Sequence, residues 1–89
     1  MLFRSEAISS LACTYWSRGK YDAAEQLFLE VVEGRKRVFG DDHAGTLEAI
    51  SSLGSTYWSR GMYDEAERLE LEVVEGRKRV FGDDHAETL

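Results

Sequence analysis

Residues 11–25 read Leu11-Ala12-Cys13-Thr14-Tyr15-Trp16-Ser17-Arg18-Gly19-Lys20-Tyr21-Asp22-Ala23-Ala24-Glu25. Forty-two positions later the chain reads Leu53-Gly54-Ser55-Thr56-Tyr57-Trp58-Ser59-Arg60-Gly61-Met62-Tyr63-Asp64-Glu65-Ala66-Glu67. The echo extends in both directions. Residues 6–47 and 48–89 align without a gap, and 35 of the 42 positions are identical. The seven differences are Ala12/Gly54, Cys13/Ser55, Lys20/Met62, Ala23/Glu65, Gln26/Arg68, Phe28/Glu70 and Gly45/Glu87. A period of this length marks one supersecondary unit used in tandem, each copy needing a neighbour to bury its apolar face. It also argues against an enzyme, because an active site is an asymmetric constellation and almost nothing in this chain occurs only once.

The quoted stretch holds a helix end, a turn and a helix start. Ile8, Leu11, Ala12 and Tyr15 recur at i, i+3, i+4 and i+7 and share one helix face, as do Ile50, Leu53, Gly54 and Tyr57. The spacing predicts a first helix, A, over about residues 4–18 and again over about 44–60. Gly19 and Gly61 are expected to end it in the left-handed conformation of a C-terminal cap. Asp22 with Glu25, and Asp64 with Glu67, have the spacing of a capping box, so a second helix, B, is expected to begin there.

Helix B is expected to run to Phe39, and in the second copy to Phe81, with Gly40 and Gly82 ending it. It carries two apolar stripes, Ala24-Leu27-Phe28-Val31-Val38 and Leu29-Val32-Phe39, and a helix apolar on two sides is packed on two sides. Gly34 interrupts the first stripe at a cost of up to about 1 kcal/mol against alanine. A close approach by a neighbouring helix, or a kink, would account for it. Arg35-Lys36-Arg37 lies in the last turns, where the helix dipole favours cations, and Glu33 and Arg37 are four apart in the favourable order. Connections of two to four residues make A and B antiparallel neighbours. The expected fold class is all-α: one domain, 1–89, with repeat one at about 4–40, repeat two at about 44–82, and 83–89 starting a further helix.

The bulk numbers agree with a small soluble helical protein. Hydrophobic residues make up 43% and charged residues 31%, with eight glycines and no proline. A chain of 89 residues buries only about 60–65% of its unfolded surface, so its stability is expected to be marginal without added contacts. A net charge of −6 opposes general affinity for nucleic acid or anionic membrane. No apolar run is long enough to span a bilayer, and the first residues are too short in apolar length for a secretory signal. Cys13 is the one cysteine, so no internal disulfide can form, and a reducing cytoplasmic home is expected.

The sequence around the turn, Leu11-Ala12, Tyr15, Gly19, Tyr21-Asp22 and Ala24-Glu25, resembles the signature of the tetratricopeptide repeat. Leu53-Gly54, Tyr57, Gly61, Tyr63-Asp64 and Ala66-Glu67 repeat it. The usual unit there is shorter, and the 42-residue form is similar to kinesin light chains and to the repeat arrays of fungal NOD-like receptors. Ala24-Glu25-x-Leu27-Phe28, Arg35-Lys36-Arg37-Val38-Phe39-Gly40 and Asp42-His43-Ala44-x-Thr46-Leu47 carry the fungal likeness. Such repeats commonly have proline after the histidine, where this chain has Ala44 and Ala86, so these helix starts are expected to fray more. The resemblance implies a short right-handed α-solenoid that binds a protein or peptide partner on the concave face lined by helices A. The nucleotide-binding switch of the fungal receptors is not part of this sequence, so only the array is implied and not the activity.

On that face the candidate partner-binding residues are Glu6, Ser9, Cys13 and Trp16 from the first helix A, and Glu48, Ser51, Ser55 and Trp58 from the second. Ser17 and Ser59 extend the same row. The two tryptophans are either anchors for a partner, as exposed tryptophans often are at binding hot spots, or core residues packed against the next helix A. Some repeats of the family hold a chaperone's C-terminal carboxylate through Lys and Asn on helix A. The matching positions here are Ser9, Cys13, Ser51 and Ser55, so that clamp is absent.

Asp41-Asp42-His43 and Asp83-Asp84-His85 fit caps and turns better than metal ligands. The Arg35-Lys36-Arg37 cluster, set among acids, fits solvated helix ends better than nucleic-acid contacts. Cys13 lacks the partners of a nucleophile, and no phosphate-binding glycine loop or cofactor motif is present. The last helix B is expected to present Leu71, Val74 and Phe81 without cover. Because the units are nearly identical, the open front of one chain matches the open back of another. A head-to-tail homo-oligomer or helix exchange with a partner chain is therefore a second expectation.

Overall fold

The computed structural model describes residues 5–81. Four helices follow in order: α1 Ser5–Ser17, α2 Tyr21–Phe39, α3 Ala44–Ser59 and α4 Tyr63–Phe81. The chain is all-α, a tandem of two helix–turn–helix units, with α1 and α3 as the A helices and α2 and α4 as the B helices. The expected terminator Gly82 and the further helix expected at 83–89 lie outside the described residues.

Local chemistry sets the turns. Gly19 has φ 77° and Gly61 φ 78°, the left-handed region that a side chain would strain. The Lys20 N–H donates to the Tyr15 carbonyl at 2.8 Å, and the Gly19 N–H to that of Trp16 at 3.0 Å. Met62 and Gly61 repeat both bonds onto Tyr57 and Trp58 at 2.9 and 3.0 Å. This paired pattern satisfies carbonyls that the helix end would otherwise leave open.

The turn also corrects one expectation. Asp22 does not cap α2. The tight glycine turn delivers Lys20 straight to the cap position, where its carbonyl accepts from the Ala24 N–H at 3.1 Å, and no side chain caps the helix. Asp22 therefore falls inside the first turn, where its charge still complements the dipole. Met62 and Ala66 make the same bond, at 3.1 Å, and place Asp64 inside α4.

Successive helices pack on one another, α1 on α2, α2 on α3 and α3 on α4. The thin dimension of the molecule is 17 Å, close to two helix layers. Ala12, Ala24, Phe28, Val31, Leu47, Ile50 and Leu53 form the centre of the core. The near-identity of the repeats makes burial a measure of neighbours alone. Leu53 is 3% exposed while its counterpart Leu11 is 47% exposed, because α2 covers α3 and no described helix covers the corresponding face of α1. Likewise Val32 is 7% exposed and its counterpart Val74 38%.

Gly76 on α4 marks a close approach. A Cβ at Gly76 would lie 2.7 Å from Cδ2 of Leu47, so the missing side chain is the space into which α3 sets its leucine. Gly34 is also buried, and both helices run unbroken through the glycine. Val38 and Phe39, expected in the stripes, are exposed instead. The B helices have 19 residues against 13 and 16 in the A helices, so their last turn overhangs its cover. Phe39 stacks there on His43, with ring centres 4.6 Å apart.

Candidate binding groove

On α1, Cys13, Trp16 and Ser17 reach the surface, and on α3 so do Ser55, Trp58 and Ser59. Each tryptophan sits one helical turn before its terminating glycine, and the turn brings the first tyrosine of the next helix back against it. Trp16 meets Tyr21 edge-on with centroids 6.1 Å apart, and Trp58 meets Tyr63 at 6.0 Å. The indoles are thus braced but not covered: Trp16 is 38% exposed and Trp58 60%. Neither is a core residue.

Two adjoining hollows lie along this face. The first, about 350 Å³, is lined by Cys13, Trp16, Ser17 and Phe28 of repeat one and by Ser52 and Ser55 of α3. The second, about 380 Å³, is lined by Ser55, Trp58, Ser59 and Glu70 of repeat two together with Trp16 and Tyr21. The same four repeat positions build both. Trp16 and Ser55 line both, so the hollows are parts of one continuous groove.

Of the residues singled out from sequence, Cys13, Trp16, Ser55 and Trp58 line the groove. Glu6, Ser9, Glu48 and Ser51 lie farther toward the helix N-termini and do not line these hollows; Glu6 and Glu48 are exposed and Ser9 and Ser51 half-buried. Sequence reading missed Tyr21, Phe28, Ser52 and Glu70. Two signals pointed to Tyr21, Phe28 and Glu70: the Trp-to-Tyr interval spanning each turn glycine, and the Phe28/Glu70 mismatch in a largely repeated helix; none pointed to Ser52. At the far end of the molecule Leu71 and Val74 are exposed on α4; the side chain of Phe81 lies outside the described residues.

Ion pairs fasten neighbouring elements to one another. Glu25 on α2 accepts from the Tyr57 hydroxyl at 3.2 Å and pairs with Arg60 at the end of α3. Arg60 reaches Asp22 at 2.9 Å as well. Burial, then the charge of Glu25 and its hydrogen bond, push the Tyr57 phenol above its ordinary value of 10.0. Arg79 donates from Nε and Nη2 to Asp42 at 2.8–3.1 Å, and these bonds hold the Asp42 carboxyl below its ordinary 3.8.

The basic cluster is more structural than the sequence suggested. Arg35 is half-buried and donates to the Gly45 carbonyl at 2.7 Å, and half-buried Lys36 pairs with Glu72 at 3.2 Å. Both tie neighbouring elements together, while Arg37 stays exposed and forms no ion pair with Glu33. In the Asp-Asp-His loop, Nδ1 of His43 accepts from the Gly45 N–H at 2.9 Å and caps α3. Among the described residues no helix is long and apolar enough to cross a membrane, and no three His, Cys, Asp or Glu side chains gather as metal ligands. A tetratricopeptide repeat family model matches residues 4–79. No curated protein matches the chain.

Proposed function

The chain belongs to the tetratricopeptide repeat family, a class of non-catalytic protein-interaction scaffolds, and we propose that it binds a peptide or protein partner on the face of α1 and α3. The supporting observation is the pair of exposed, tyrosine-braced tryptophans one repeat apart in a continuous groove. A rigid aromatic that is already ordered loses little entropy when a partner covers it, which is why such residues dominate interface energetics. Cys13, Trp16, Ser55 and Trp58 form the centre of the contact. Glu6, Ser9, Glu48 and Ser51 form its margin. The exposed thiol of Cys13 suits a reducing cytoplasm. The 42-residue period supports kinship with the longer repeats of kinesin light chains and fungal NOD-like receptor arrays.

The test is retention of a degenerate pool of capped peptides, read by shielding of the tryptophans from acrylamide. Trp58→Ala is expected to abolish retention while moving the unfolding temperature little. Retention unchanged by Trp58→Ala removes this reading.

A second reading, head-to-tail self-assembly, is favoured by the burial contrast between the two repeats. The α2–α3 joint covers Leu53 and Val32, and the same joint formed between two chains would cover Leu11 of one and Val74 and Leu71 of the other. A solution mass that rises with concentration, and a loss of that rise in Leu11→Glu, supports it. A monomer at high concentration, by sedimentation, removes it.

A further inference from the structure

The two hollows have the same plan but different chemistry. Of their four shared positions, only Cys13/Ser55 and Phe28/Glu70 differ between the repeats. The first hollow has a buried phenyl ring against it, and the second has an exposed carboxylate in the same place. Around that carboxylate stand Trp16, Tyr21 and Trp58, with Ser55 and Ser59 completing the lining. No basic side chain lines this hollow, and none of the ion pairs among the described residues engages Glu70.

Three aromatic rings and an unpaired carboxylate are a receptor for a cation. The electron-rich ring faces attract a cationic head, most strongly for tryptophan. A guanidinium can also stack on an indole while donating to a carboxylate. We propose that the Trp16–Trp58–Glu70 hollow takes the arginine or lysine head of a peptide ligand, and that an apolar residue close by in the same ligand lies over Phe28. The shared walls, Trp16 and Ser55, require the two ligand side chains to be near neighbours. This rests on the groove reading above and adds to it the kind of sequence the groove selects: a basic residue beside an apolar one.

The experiment titrates the full chain with three capped tripeptides, leucine–alanine–arginine, leucine–alanine–leucine and leucine–alanine–glutamate, and follows the indole N–H signals of Trp16 and Trp58 by NMR. The arginine probe is expected to bind tightest, to shift both indoles, and to weaken as salt is added. Glu70→Gln should weaken the arginine probe by about three- to fivefold and leave the leucine probe unchanged. Glu70→Phe, which copies repeat one, should reverse the preference in favour of leucine. Equal binding of the arginine and leucine probes overturns the cation site and leaves the groove standing. Binding of none of the three overturns both.

Discussion

Thr46 is fully buried in α3, and its hydroxyl has no hydrogen-bond partner among the described residues. An unsatisfied buried hydroxyl is a cost that an isosteric methyl removes. Thr46→Val is therefore expected to stabilise the chain by about 1 kcal/mol, read as a higher denaturation midpoint. Gly76 presents the opposite case, a space already occupied by Leu47. Gly76→Ala gains helix propensity but crowds a buried leucine, and the crowding is expected to win by about 1 kcal/mol. In a Leu47→Ala background the same change should become stabilising, because the obstruction is gone; a double-mutant cycle measures this. At this scale the sequence was legible where the physics is local. Gly19 and Gly61 were readable as helix ends because only glycine adopts their φ without strain. Asp22 was misread because the start of α2 is set by the hydrogen bonds of the preceding turn, which no residue pattern displays.

Between elements, one carboxylate makes two of the ties that fasten α3 to α2. Glu25 holds both the Tyr57 hydroxyl and the Arg60 guanidinium, and it is the less exposed partner of the Arg60 pair. The Glu25→Ala and Arg60→Ala double-mutant cycle is expected to give a coupling of about 0.5–1 kcal/mol, the range for partly exposed pairs. The pH dependence has two limbs. Asp42, whose carboxyl is lowered in the fold, contributes stability above its ordinary 3.8, and that contribution is lost as pH falls through the folded value. Tyr57, raised above 10.0, contributes stability below that value, and it is lost as pH rises through the folded one. Asp42→Asn should flatten the acid limb, and Tyr57→Phe the alkaline limb, in denaturation midpoints followed against pH. These ties were not legible in the sequence. Arg35, Lys36 and Arg37 stand side by side, yet Arg35 and Lys36 reach different neighbours and Arg37 reaches none among the described residues, a choice made by packing between elements.

For the molecule as a whole, the repeated sequence supplies its own control. Leu53→Ala removes a fully packed side chain and is expected to cost about 3 kcal/mol. Leu11→Ala, the same change at the matching position, is expected to cost less than about 1 kcal/mol in the monomer. Chemical denaturation of the two variants compares them directly. The helical period made the fold class readable, because it is written in every turn of α1 to α4. The groove was only half readable. Trp16 and Trp58 stood out by type, but Phe28 and Glu70 join them from the B helices, whose reach across the layer depends on how A and B cross. The joint between α2 and α3 has a further consequence. Each additional 42-residue unit would bring one more such joint and one more hollow, while the number of terminal faces would stay at two. The energetic penalty of the ends is then a constant, and the recognition surface grows in proportion to the count of units. A ligand twice as long would call for more copies of the same part, with chemistry changed only at the positions of Cys13 and Phe28.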